Sequence, residues 1–184
     1  MAISCVNCTP SFPTLSASCG RTIEKAGINS IAFVLCSNTT ILANPDDLLV
    51  WQAAVTSGDA VVIKNVIGGL PAPNDITKRL GACEPESLTG RVWTMSFEDY
   101  DFTKSGSPFT PEKLNFYNQI MADPSQYFMF YGECQGLMYQ VDTFTFYANP
   151  NTPTDNTQNK FFECKAMYQQ IAMPTPIQFD LNLV

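Results

Sequence analysis

Histidine is absent from this chain, and charge is scarce: 10 Lys and Arg with 17 Asp and Glu make 27 charged side chains in 184 residues. His is the usual general base near neutral pH and the commonest metal ligand. Its absence removes Ser-His-Asp and Cys-His mechanisms and most zinc and iron sites. Soluble domains carry roughly 25% charged residues, against 15% here. A subunit that buries surface against copies of itself needs less charge than a monomer, so the composition leans towards an assembly component.

Long apolar runs are missing as well. A bilayer span needs about 20 apolar residues, and the longest run, Ile31 to Cys36, is strand-sized. The first twenty residues hold no Lys or Arg and are interrupted by Pro10 and Pro13, so no secretory signal is expected there. Basic runs are lacking too; Lys78-Arg79 is the one adjacent pair, and the net charge is −7. Phosphate contacts need clustered Lys and Arg, which argues against an outward nucleic-acid-binding surface. An acidic lumen that lets DNA slide without gripping it stays compatible with this balance.

What is present suits one domain, since a chain of this length buries about 70% of its unfolded surface. Seven cysteines are many, but the count is odd, so a disulfide framework is not expected. Cys36, Cys134 and Cys164 lie in apolar strand-like segments and are expected to act as small core hydrophobes. Cys5, Cys8 and Cys19 give the one metal-like spacing. Zinc needs four ligands, and with no His the fourth would have to be Cys36 or Cys83; a second CxxC is missing. No cofactor is expected.

Residues 1–20 are small, polar and broken by proline, and read as an extended N-terminal arm. Residues 21–172 read as a single β-rich domain. Asn44-Pro45-Asp46-Asp47 starts a helix near 45–57, with Asn44 as cap, Pro45 in the first turn and Gly58 as stop. Thr110-Pro111-Glu112-Lys113 starts another near 110–122, ending at Asp123-Pro124. Strands are expected from Ile31 to Cys36, Ala60 to Val66, Arg91 to Phe102, Tyr127 to Cys134, Leu137 to Tyr147 and Lys160 to Ala172. In the third of these, Trp93, Met95 and Phe97 alternate inward, and Tyr100 and Phe102 change parity, which predicts a bulge near Glu98-Asp99. Residues 149–159 read as a polar loop. In the C-terminal arm, 173–184, Ile177, Phe179, Leu181 and Leu183 alternate in period two and predict a strand that adds to a sheet edge at an oligomer interface. The fold expected is mainly β (α+β): an antiparallel β-sandwich or barrel-like domain with two short flanking helices and extended arms.

These segments carry side chains suited to two chemistries. Glu98, Asp99, Asp101, Glu133 and Asp142 could pair as glycosidase carboxylates, though acidic residues at strand ends are commonly solvated. Aromatic stripes (Trp93/Phe97, Tyr127/Met129/Tyr131, Phe144/Phe146 with Phe161/Phe162) could stack sugars or bases, but serve more often as core and interface.

The arm ending in Cys19-Gly20-Arg21, the segment Ala26-Gly27-Ile28-Asn29-Ser30-Ile31, and the strand Gly90-x-Val92-Trp93-Thr94-Met95-Ser96-Phe97-Glu98-Asp99, with the sheet-forming C-terminal half, resemble small virion proteins of tailed phages infecting Bacteroidetes. They are similar to tail-tube or tail-ring subunits. The resemblance implies a β-sandwich with a flanking helix, homo-oligomeric rings of six or twelve copies, arms bridging rings, and no enzyme activity. It further implies a virion location after assembly in the host cytoplasm, other tail or head proteins as partners, passage of DNA without specific binding, and no membrane. Asp99, Asp101, Glu133 and Asp142 are the expected lumen charges. The Cys-rich arm departs from a typical tube subunit. The alternatives are a capsid-decorating or head-completion protein and a carbohydrate-binding adhesin module.

Overall fold

The computed structural model describes residues 27–78, 87–100, 109–134, 136–154, 159–172 and 174–184. Nine strands form one antiparallel sheet: β1 (Ile28–Leu35), β2 (Ala60–Gly69), β3 (Asn74–Lys78), β4 (Ser87–Asp99), β5 (Tyr127–Glu133), β6 (Leu137–Val141), β7 (Thr145–Asn151), β8 (Phe161–Gln169) and β9 (Ile177–Gln178). The spatial order is β7-β8-β4-β2-β1-β5-β6-β9, with β3 pairing β4. Three helices join them: α1 (Thr39–Ala43), α2 (Leu48–Ser57) and α3 (Pro111–Ala122). The expected mainly β, α+β fold is what forms. Among the described residues no helix is long and apolar enough to cross a membrane.

The sheet is rolled. Six strand spacings separate β6 from β7, about 29 Å if flat, yet residues 142–144 alone join them, a link that reaches at most about 14 Å. Phe33 on β1 also meets Phe146 on β7 at 5.2 Å between ring centroids, across four strand spacings. The roll does not close into a barrel. α3 instead covers the outer edge of β7, where the Ala148 N–H donates to Met121 Sδ at 3.2 Å, one way to blunt an edge strand. The bend sits at Asn65, whose φ of 59° is left-handed. Before it β2 pairs with β1; beyond it Ile67, Gly68 and Gly69 pair with β4, and Gly68 alone still pairs with β1, at Ile28 after a register shift.

Rolling buries the concave face around Ile31, Phe33, Met95, Phe97, Met129, Tyr117, Ile120 and Phe162. Among the described residues the convex face is covered over β1, β5, β6 and the first part of β2, where Ala60 and Val62 join the packing. There α2 sets Trp51 against Phe130 and Phe179, with Ala32, Val34 and Leu181. β1 is thus buried on both sides, the reason its residues 31–35 are a continuous apolar run. Over β7, β8 and β4 no described element packs on the convex face.

Several boundaries differ from those expected. Asp47, not Asn44, caps α2, accepting from the Leu49 N–H at 2.9 Å; Asn44 ends the extra helix α1, and the Pro45 carbonyl accepts from Trp51 Nε1 at 2.8 Å. Gly58 stops α2 at φ 84°, and Thr110 caps α3 through the Lys113 N–H, both as expected. No bulge interrupts β4 at Glu98-Asp99. Pairing with β8 runs unbroken from Val92 to Asp99, so Asp99 continues the inward set. The segment Leu137 to Tyr147 breaks into β6 and β7, and β7 runs on to Asn151, shortening the expected polar loop. β3 was not expected at all. The C-terminal segment is no free arm: only Ile177 and Gln178 pair, with β6, and residues 181–183 turn into a 3-10 helix. The arm 1–20 lies outside the described residues.

Two adjacent glycines separate steric roles at the β2–β4 seam. A Cβ at Gly68 would sit 2.6 Å from Phe97 Cβ and 2.9 Å from the Ser96 carbonyl oxygen, whereas one at Gly69 meets nothing within 4 Å. Gly68→Ala is therefore expected to cost about 1–3 kcal/mol by overpacking, and Gly69→Ala to stay within about 0.5 kcal/mol of wild type. Urea denaturation of both variants checks this, and equal effects would contradict it.

Candidate functional site

Asp99 is an aspartate in the core, 2% exposed, at the end of β4. A buried carboxylate must be paired and hydrogen-bonded, and α3 supplies both partners one turn apart. Lys113 Nζ lies 2.7 Å from Asp99 Oδ2, and Tyr117 Oη donates to the same oxygen at 2.5 Å. The Cys164 thiol lies against the Tyr117 hydroxyl, and Phe162 packs its ring 4.8 Å from that of Tyr117. Burial pushes the Tyr117 phenol well above its ordinary range and raises the Cys164 thiol and the Tyr131 phenol. The cluster pins α3 inside the roll.

This placement corrects Asp99 as a lumen charge, because it is enclosed by its own chain. Asp101 lies outside the described residues. Glu133 and Asp142 sit at opposite ends of the β5–β6 hairpin, Asp142 accepting from Gln140 Nε2 at 2.6 Å. Glu98 and Asp99 are neighbours on one strand and face opposite sides, so the four described carboxylates do not converge on one site. Phe179 and Leu181 are buried against α2 and β1, Ile177 packs beside them, and Leu183 is exposed. The C-terminal alternation therefore builds this chain's own core and offers no apolar strand face to a neighbour.

Cys164 is buried as expected, but Cys36 is half-buried, donating to the Ser125 carbonyl, and Cys134 is exposed. Cys5, Cys8, Cys19 and Cys83 lie outside the described residues. Among the described residues no three His, Cys, Asp or Glu side chains gather as a metal site requires. Of the aromatic stripes, Trp93, Phe97, Tyr131, Phe144, Phe146 and Phe162 point into the core, whereas Tyr127 and Phe161 are half-buried, the Phe161 ring lying 4.9 Å from that of Tyr100.

Two surface features were not legible beforehand. β3 and the first part of β4 form a two-stranded hairpin that extends past the rest of the sheet. All five β3 residues are exposed, and β8 pairs with β4 only from Val92 onward. Its apolar side chains Ile76 and Leu88 are 40% and 38% exposed. Arg91 Nε bridges Asp75 at 2.8 Å across its base. The second feature is a groove of ≈ 340 Å³ on the uncovered convex face, lined by Ile67, Gly68, Gly69, Ser96, Phe97, Glu98 and Glu163. Glu98 and Glu163 stand directly opposite in the β4–β8 ladder, a like-charge pair that is destabilising by itself. Tyr100 Oη donates to Glu98 at 2.7 Å. Comparison with protein-family models, with curated protein sequences and with solved structures gives no match.

Asp99→Ala leaves Lys113 and Tyr117 facing a cavity, and is expected to cost about 3–5 kcal/mol in urea denaturation; a loss under about 1 kcal/mol would show that the cluster does not anchor α3. The raised Tyr117, Tyr131 and Cys164 groups hold their protons more tightly folded than unfolded. Their contribution is complete below the unfolded values, about 8.5 for a thiol and 10 for a phenol, and falls as pH rises past them. Urea midpoints measured from pH 7.5 to 10.5 are expected to fall on the alkaline side, starting later in Cys164→Ala than in wild type. A flat profile would contradict the burial of these groups.

Proposed function

We propose that this protein is a structural subunit that assembles with copies of itself into a ring or tube, as the resemblance to tail-tube and tail-ring proteins of tailed phages suggests. The β3–β4 hairpin supports this most directly. A two-stranded hairpin standing alone is marginally stable in water, and among the described residues this one pairs with no further strand at residues 74–78 and 87–90 and exposes apolar side chains on both strands. Such an edge is a template for association. The low charge content agrees, because surface that is buried in an assembly does not need solvating. The net charge of −7 suits a lumen that passes DNA without holding it.

Light scattering with negative-stain microscopy tests the proposal. Wild type is expected to form rings of about six or twelve copies, or short tubes, in line with closed point-group assembly. The double variant Ile76→Asp/Leu88→Asp is expected to remain monomeric with an unchanged urea midpoint, since both positions are exposed. Wild type that is monomeric at every concentration, or a variant that assembles like wild type, would contradict it. Glycan binding by an isolated monomer would favour the adhesin module.

A further inference from the structure

We infer that the groove over Gly69 is the receptor for the β3–β4 hairpin of a second copy, so that subunits join head to tail. The inference rests on the assembly proposed above and names its two surfaces. The groove exists because Gly69 projects no side chain into it, and among the described residues nothing lies within 4 Å of a Cβ built there. At one end stand Glu98 and Glu163, which lack an ion pair among the described residues although Lys165 follows on the same face of β8. A cation from outside would relieve their mutual repulsion.

The hairpin carries the complementary pattern. Ile76 and Lys78 are two residues apart on β3 and so project to one side, both exposed. In the groove, Gly69 pairs with Ser96, which is two residues from Glu98 along β4. An apolar side chain and a cation one period-two step apart therefore face a gap and a carboxylate pair at the same step, about 6.6–7 Å. The chain's own hairpin runs the other way along β4, at residues 87–92, and cannot fold back into the groove. The contact is thus between different surfaces of two copies, which gives a closed ring when the rotation closes and a helical tube when it does not.

Three variants test this by sedimentation velocity, each with its urea midpoint as a control on folding. Gly69→Leu fills the groove while pointing away from the chain's own packing; Glu98→Lys/Glu163→Lys reverses its charge; Lys78→Glu is added to the latter. The first two are expected to weaken assembly on the order of tenfold or more, and Lys78→Glu to restore it in part in the reversed background. A head-to-tail contact also predicts a mixing result. The hairpin variant Ile76→Asp/Leu88→Asp keeps its groove, and Glu98→Lys/Glu163→Lys keeps its hairpin, so together they form a 1:1 dimer and nothing larger. If wild type assembles and the folded groove variants assemble equally well, the inference is overturned and the assembly proposal stands. If wild type never assembles, both fall.

Discussion

Folding this chain requires taking the Asp99 carboxylate out of water, and α3 supplies the compensating ammonium and phenol from Lys113 and Tyr117. Removing Lys113 would take the ammonium from a buried carboxylate, and removing Tyr117 would take a hydrogen bond from it, so the helix and the end of β4 hold each other in place. Much follows from that attachment. α3 brings Phe116 and Tyr117 against Phe33 and Phe146, and Met121 to the open edge of β7. The sheet therefore stays rolled around a helix without pairing its own ends. An apolar residue at position 99 would pack there too, but would not select the one orientation of α3 that places two donors on a single oxygen.

The roll sorts the two faces of the sheet unequally. β1, β5 and β6 are covered on both sides, by α3 within and by α2 and the C-terminal turn without, where Trp51 stacks on Phe179. Among the described residues β4, β7 and β8 are covered only within. Their convex surface carries Tyr147, Glu98 and Glu163, with Ile67 of β2 beside them, and the β3–β4 hairpin extends from one end of β4. Self-sufficient packing and unfinished surface thus lie in different parts of one sheet.

Sequence pattern revealed the parts governed by local rules. The apolar run of β1, the Thr110 cap and the left-handed stop at Gly58 each depend on neighbouring residues, and each was legible. Asp99 was misread because a polar residue at an inward position imitates the end of an alternation; Trp93, Met95 and Phe97 share its parity, and Lys113 with Tyr117 at helical spacing was the available signal. The C-terminal alternation imitated an edge strand. Only the tertiary position of Trp51 shows that Phe179 and Leu181 turn inward. β3 was invisible for the opposite reason, since a strand exposed along its whole length has no apolar period. The groove depends on which residues face each other across β2, β4 and β8, and no single segment contains that register.

In the proposed assembly the rolled core is complete in one copy, and the hairpin is completed by another. Amide hydrogen exchange of the same protein at dilute and at assembling concentrations tests this division. The β1 and β5 amides are expected to be protected in both conditions, whereas amides of residues 74–78 and 87–91 are expected to exchange quickly when dilute and to become protected on assembly. Hairpin amides that exchange equally in both conditions, fast or slow, would contradict it.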